Sequence, residues 1–162
     1  MGRLADRLSG VRVRASAPGA DIDAELRDRT SITMSFGESV YEFIGKEALE
    51  RALAALARSL WAGWQRQYLA AIDETDLNIE ANDQHDLNFF AERDTVQAAG
   101  TSADGRITIT VTGMRNFAVR ITPGTTREIS EDAFSAGAAQ AATRLIHDYT
   151  AKVNELKKRY YG

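Results

Sequence analysis

The chain contains no cysteine and only two histidines, His85 and His147, among its 162 residues. Without cysteine there is no disulfide framework, no thiolate nucleophile and no cysteine-ligated zinc or redox centre. Two histidines also disfavour histidine-rich metal sites and most histidine-based catalysis. Each histidine precedes an aspartate, but neighbours along a helix point about 100° apart and cannot orient one another as a catalytic dyad. We therefore predict no catalytic residue, no cofactor and no metal.

Long apolar runs are also missing, since none approaches the roughly 18 residues that a membrane span requires. The start of the chain lacks the apolar core of a signal peptide. We therefore expect a cytoplasmic protein with no membrane partner. Hydrophobic residues at 44% and charged residues at 27% are typical of a globular protein rather than a disordered one.

The charge that is present is unevenly distributed. Residues 1–72 carry a formal charge of +1, residues 73–94 carry −7 and residues 95–162 carry +3. The middle segment also shows little helical or strand periodicity. We interpret residues 73–94 as an acidic linker whose few apolar residues pack on the body while its carboxylates stay solvated.

The clearest structural pattern spans residues 104–124. Apolar residues alternate with arginine and threonine at 107, 109 and 111, and the alternation resumes after Gly113 at 117, 119 and 121. A period of two predicts strands with one buried face, here an antiparallel hairpin. A weaker strand is predicted at 95–100. After the hairpin, Ser130 with acidic residues behind it predicts the N-cap of a helix that runs to about Lys158.

The first part of the chain repeats this organisation. Alternation over residues 11–15, 22–26 and 32–36 predicts three strands in meander order. Apolar residues then recur at spacings of three and four, which predicts a helix from about residue 46 to Ile72 that buries one stripe. The residues of that stripe are Leu49, Leu53, Leu56, Leu60 and Trp64.

The two parts correspond when the sequence is shifted by 85 residues without a gap, which places Ile22 on Ile107 and Leu49 on Phe134. We therefore predict an α+β fold of two β-β-β-α units. Residues 1–72 form a degenerate first unit and residues 95–162 the second. We expect the units to pack as an intrachain pseudo-dimer, with one antiparallel sheet or a continuous clamp and the long helices on one side. Such a chain is a monomer or dimerises again.

The second unit resembles the YbaB/EbfC family of nucleoid-associated DNA-binding proteins. The family core reads glycine, alternating hydrophobic residues and a second glycine, followed by a strand that ends near Ile-Asp-Pro and by an acidic helix start. The matching positions are Gly105, Ile107, Ile109, Val111, Gly113, Val119, Ile121 and Pro123, with Thr122 where aspartate is usual. The resemblance implies clamp-shaped dimers, here fused into one chain as two YbaB-like units. It also implies non-enzymatic DNA binding of low sequence specificity at the nucleoid.

DNA binding requires cations that replace the counterions of phosphates. The candidates form two groups, one near each end of the chain, which share one surface if a fused dimer brings the ends together. The first group is Arg3, Arg7, Arg12 and Arg14, and the second is Lys152, Lys157, Lys158 and Arg159. Basic residues at a helix C-terminus also complement the helix dipole, which is the alternative explanation for the second group.

A protein partner is the alternative to DNA. The first unit carries Asp21, Asp23 and Glu25 around its middle strand, where a DNA-facing surface is expected to lack acids, and the isoelectric point is about 5.4. Similar degenerate units occur among proteins associated with actinobacterial type VII secretion, which implies a chaperone or regulator. Trp61-Ala62-Gly63 matches the Trp-x-Gly signature of small secretion substrates, but no tyrosine is followed four residues later by aspartate or glutamate, so an exported substrate is disfavoured. Trp61 and Trp64 are expected to be core or interface residues. In this alternative the Trp61/Trp64 region or the acidic linker contacts the partner.

Overall fold

The first half of the protein is a three-stranded antiparallel sheet followed by a long helix. The structure is a computed structural model, which describes residues 11–74 and 84–162. The sheet has the order β1-β2-β3. Its elements are β1 (Arg12–Ser16), β2 (Ile22–Arg27) and β3 (Ser31–Phe36), and the helices after it are α1 (Val40–Phe43) and α2 (Lys46–Glu74).

The second half repeats this arrangement after one additional helix, α3 (Gln84–Arg93). Its sheet is also antiparallel and has the order β4-β5-β6. The elements are β4 (Gln97–Thr101), β5 (Ile107–Thr112), β6 (Asn116–Ile121), α4 (Thr125–Glu128) and α5 (Glu131–Tyr161). Helix α5 begins where the sequence predicts it, because the Ser130 hydroxyl accepts a hydrogen bond from the Ala133 N–H (3.1 Å).

The predicted α+β fold of two β-β-β-α units is confirmed. Shifted by 85 residues, β1, β2, β3 and α1 coincide with β4, β5, β6 and α4 at both ends, and the start of α2 coincides with the start of α5. The strand registers agree as well, since Ile22 pairs with Phe36 in the first sheet and Ile107 with Ile121 in the second. The strands form two separate sheets, however, and not one sheet.

The segment predicted as a linker contains helix α3. Its only buried residue is Phe89, which packs against Val153 and Leu156 of α5. One buried side chain gives no helical periodicity in the sequence, and this is why the pattern did not indicate a helix. Residues 75–83 of the linker lie outside the described residues.

Each long helix packs on both halves of the protein. Helix α2 contacts β1 and β2 of its own sheet and β6 of the other, while α5 contacts β4 and β5 of its own sheet and β3 of the other. Phe134 of α5 is fully buried, and its ring lies 5.9 Å from Phe36 and 5.5 Å from Tyr41 of the first half. One apolar core therefore joins the two units.

The tight turns follow the repeat even where the residues differ. Gly113 (φ 60°) and Gly124 (φ 83°) adopt the left-handed conformation in the second unit. At the equivalent positions of the first unit, Asp28 (φ 52°) and Ser39 (φ 65°) adopt it without being glycine. A non-glycine residue in this region is strained by about 1–3 kcal/mol, somewhat less for aspartate. The shared core therefore holds the same backbone against a less suitable sequence.

Candidate functional site

The described arginines of the first predicted group lie on the outer face of the first sheet. Arg12 and Arg14 are exposed, with the Arg14 side chain 81% accessible. Glu25 lies beside them on β2 and pairs with Arg27 (3.0 Å) and Arg14 (3.8 Å). The hydrogen bond from Arg27 is the main reason why the pKa of Glu25 is lowered. Glu25 thus balances part of the positive charge, while Arg12 has no ion pair among the described residues. Arg3 and Arg7 lie outside the described residues.

The residues of the second predicted group, at the C-terminal end of α5, differ in their contacts. Lys152 Nζ donates to the Gln97 carbonyl oxygen (2.8 Å) and to Asp148 (3.1 Å), so this lysine is bound to the body. Arg159 lies 3.9 Å from Glu92 of α3. Lys157 and Lys158 are exposed and form no ion pair with any residue that the structure describes.

The elements that carry the two described groups pack on different parts of the protein. Strand β1 packs on β2 and α2, whereas the C-terminal part of α5 packs on α3. A cluster of His85, Phe89, Tyr160 and Tyr161 joins α3 to the end of α5. The His85 ring nitrogen Nε2 lies 2.6 Å from the Tyr160 carbonyl oxygen, and Tyr161 bonds Asp86. His85 is therefore part of a helix-docking contact.

The free edge of β4 is capped by a row of side chains that sequence reasoning missed. Four residues of α5, spaced four apart and here named the capping row, each bond one backbone group of this edge. The pairs are Gln140 Oε1 with the Ala103 N–H (3.0 Å), Arg144 Nη1 with the Thr101 carbonyl (2.8 Å), Asp148 Oδ2 with the Ala99 N–H (3.0 Å) and Lys152 Nζ with the Gln97 carbonyl (2.8 Å). The signal in the sequence is a polar stripe at i, i+4, i+8 and i+12 beside the apolar one.

The electrostatics of the capping row agree with its geometry. The pKa of Asp148 is lowered, chiefly because its carboxylate accepts the Ala99 N–H bond, with Lys152 as a second favourable partner. An ionised carboxylate at this point accepts a stronger bond than a neutral group would. The row protects β4 from pairing with another strand, which is a known liability of exposed sheet edges.

The equivalent edge of β1 is not capped in this way. The positions of α2 that correspond to the capping row are Ala55, Ser59, Gly63 and Gln67. Only Gln67 reaches the strand, where its Nε2 donates to the Arg12 carbonyl (2.9 Å). In the described parts of the chain, no hydrogen bond closes this edge at Arg14 or Ser16. The two units therefore differ most at their free strand edges.

Trp61 and Trp64, the region of the predicted protein contact, pack on the core, where Trp64 is buried and Trp61 is half-buried. Their rings stack at 5.3 Å, Trp61 also contacts Tyr149 of α5, and Trp64 is 8% exposed. Both indole N–H groups are buried without a hydrogen-bond partner among the described residues. Trp61 borders a small apolar cavity of about 70 Å³ between the two units. The pair thus contributes to the packing of α2 against α5.

The described residues form neither a metal-binding cluster nor a membrane-spanning helix. No group of three metal-ligating side chains occurs within residues 11–74 and 84–162. None of the described helices is long and apolar enough to cross a membrane. Comparison with family models, with curated proteins and with solved structures finds no match for this chain.

Proposed function

We propose that the protein is a non-enzymatic DNA-binding protein of low sequence specificity. The supporting observation is the exposed end of α5, where Lys157 and Lys158 have no acidic partner in the described structure and Arg159 is only loosely paired with Glu92. Cations without a protein partner can replace the counterions of DNA phosphates. The resemblance of the second unit to the YbaB/EbfC family supports the same function. A location at the nucleoid goes with this proposal.

A mobility-shift titration at two salt concentrations tests it. The observed affinity should fall with salt, and the slope should decrease by about 2–3 when Lys157, Lys158 and Arg159 are all changed to alanine, because each phosphate contact contributes about 0.9. The matched control changes Arg51, Arg120 and Arg127 to alanine, since these are three exposed arginines elsewhere on the surface. No shift at micromolar protein in low salt would contradict the proposal, and so would equal effects of the two triple variants.

The second candidate is a protein-interaction module, the chaperone or regulator of the secretion-related resemblance. A specific observation favours it, namely that β1 presents backbone groups at an edge which the second unit closes. Trp64 is buried and Trp61 is half-buried against the core, so this pair does not offer an edge of that kind. The test is co-purification of partner proteins from cells, followed by competition with an extended peptide. If the peptide displaces none of the co-purified proteins, a role of the β1 edge in partner binding is contradicted.

A further inference from the structure

The edge of β1 that faces away from β2 consists of the backbone of three residues. The Ala17 N–H donates to the Ile22 carbonyl (2.9 Å), which places Ala17 in a hydrogen-bonded pair with β2. Such pairs alternate along an antiparallel ladder, so Ala15 and Val13 also face β2. The intervening residues Arg12, Arg14 and Ser16 therefore direct their N–H and C=O groups away from the sheet.

Short side chains on α2 leave this edge open. In the second unit the capping row bonds every alternate residue of the edge, whereas Ala55, Ser59 and Gly63 carry nothing that extends to β1. At Gly63 the helix lies so close to the strand that an added Cβ would come within 2.5 Å of Val13 Cγ1. An approaching chain thus meets backbone groups of Arg14 and Ser16 that no described residue bonds at this edge, with only small side chains of α2 on its inner side.

Positive charge borders the edge on both sides. Arg12 and Arg14 project from the outer face of the sheet. On the inner side, Arg66 Nη2 lies 3.6 Å from the position of a Cβ on Gly63. Glu25 pairs with Arg27 (3.0 Å) and with Arg14 (3.8 Å), while Asp23 accepts a hydrogen bond from the Ser16 hydroxyl and keeps its charge. The arginines beside the edge, Arg12, Arg14, Arg27 and Arg66, outnumber the acids Asp21, Asp23 and Glu25. The potential along the edge therefore favours an acidic chain.

We propose that the edge of β1 binds an extended acidic segment of a partner protein as an added strand. Backbone bonds to Arg14 and Ser16 supply the pairing, as in other cases of strand addition. Directly opposed residues in an antiparallel pair place their side chains on the same face. The residues opposite Arg12 and Arg14 are accordingly aspartate or glutamate, and the residues between them are small or β-branched to fit beside Ala55, Ser59 and Gly63.

A second copy of this chain fits the edge less well. Antiparallel pairing of two β1 edges about Arg14 would set Arg14 directly against Arg14, and like charges in opposed positions are unfavourable. An acidic segment removes this repulsion and pairs with the same guanidinium groups. The charge of the edge thus selects the partner class.

The test uses the full chain and three labelled, end-capped peptides, Thr-Glu-Val-Glu-Val-Glu-Thr and its versions with glutamine or lysine in place of glutamate. Fluorescence anisotropy should show the glutamate peptide binding about tenfold more tightly than the glutamine peptide, as expected for two opposed charge pairs, and the lysine peptide not binding. N-methylation of the glutamate peptide on the face that pairs with β1 should abolish binding without altering the protein.

Protein variants localise the site. Arg14→Gln should weaken binding of the glutamate peptide several-fold, whereas Arg120→Gln, the same change on the exposed outer face of β6, should leave it unchanged. Equal affinity for the glutamate and glutamine peptides would overturn the acidic partner, and binding that survives N-methylation would overturn strand addition. Displacement of the peptide by duplex DNA would assign these arginines to nucleic acid and overturn the proposal as well.

Discussion

The two units of this protein have the same backbone arrangement but differ in the hydrogen bonds at their free strand edges. Strand β4 is covered by four polar side chains of α5, whereas among the described residues only Gln67 of α2 bonds the free edge of β1. The apolar positions that fix strand register and helix start are equivalent in both units, because each helix packs on both sheets. Polar positions outside this core were free to differ. The two units therefore have equivalent cores but different hydrogen bonding at their free strand edges.

The shared core gives the largest expected effect. Phe134→Ala should lower the free energy of unfolding by about 3–5 kcal/mol, because a fully buried ring that contacts Phe36 and Tyr41 of the other unit is lost. Urea unfolding followed by tryptophan fluorescence and by circular dichroism measures it, and both signals should change in one transition. Phe43→Ala is the control, since this ring is 81% exposed and its removal should cost less than about 0.5 kcal/mol. Two separate transitions would show that the units do not share a core.

A smaller effect is expected at Gly100, where strand β4 and helix α5 of the second unit approach closely. A Cβ on Gly100 would overlap the Ala141 carbonyl oxygen and the Leu145 nitrogen of α5. Gly100→Ala should therefore destabilise the protein by about 1–3 kcal/mol, or more if the backbone cannot shift. The equivalent residue of the first unit is already Ala15, and Ala15→Gly should cost only about 0.5–1 kcal/mol through backbone entropy. Equal losses of stability for Gly100→Ala and Ala15→Gly in thermal unfolding would contradict this close approach of α5 to β4.

The capping row predicts a pH-dependent contribution. Asp148→Asn should cost about 1 kcal/mol at neutral pH, because a charge-assisted bond to the Ala99 N–H is replaced by a neutral one. The pKa of Asp148 is lowered in the folded protein, so its contribution is present above the ordinary aspartate pKa and is lost as pH falls through the folded value. The difference between the two proteins in urea unfolding should thus vanish in acid. A difference that persists there, or one matched by the exposed control Glu155→Gln, would contradict this role.

The turns allow a reciprocal exchange with the smallest expected effect. Ser39→Gly should stabilise the protein by a few tenths of a kcal/mol, since glycine removes the strain of positive φ but adds entropy to the unfolded chain. Gly124→Ser at the equivalent turn should destabilise it by about 1 kcal/mol. Calorimetry of the two variants checks the signs. Destabilisation by Ser39→Gly would show that the serine has a role beyond this backbone conformation.

Much of the fold follows from patterns that the core imposes. Alternation over residues 107–111 and 117–121, and its counterpart in the first unit, predicts β2, β3, β5 and β6 because one face of each strand is buried or half-buried and the other is exposed or nearly so. Helix α3 was not predicted, since Phe89 alone anchors it. The division into two sheets was not predicted either, because alternation reports burial of a face and carries no information on which edges pair.

The candidate site was less predictable than the fold. Counting cations in the sequence put Lys152 in the same group as Lys157 and Lys158, but the side chain of Lys152 is bound to the edge of β4. The edge of β1 is open because Ala55, Ser59 and Gly63 of α2 have no long polar side chain. This absence is evident only when α2 is compared with the capping row of α5. Any residue can carry an unpaired backbone group, so no sequence pattern indicates where an open strand edge lies.

Amide hydrogen exchange of Arg14 and Ala99, measured by NMR in the same sample of the free protein, tests the central difference between the units most directly. These residues are equivalent under the 85-residue shift, and of the two only the Ala99 N–H is bonded at the edge by a residue that the structure describes. After correction for intrinsic rates, Ala99 should exchange at least about tenfold more slowly than Arg14, as expected for an amide whose exchange requires local opening. Equal protection of the two amides would show that the edge of β1 is closed and would contradict the account.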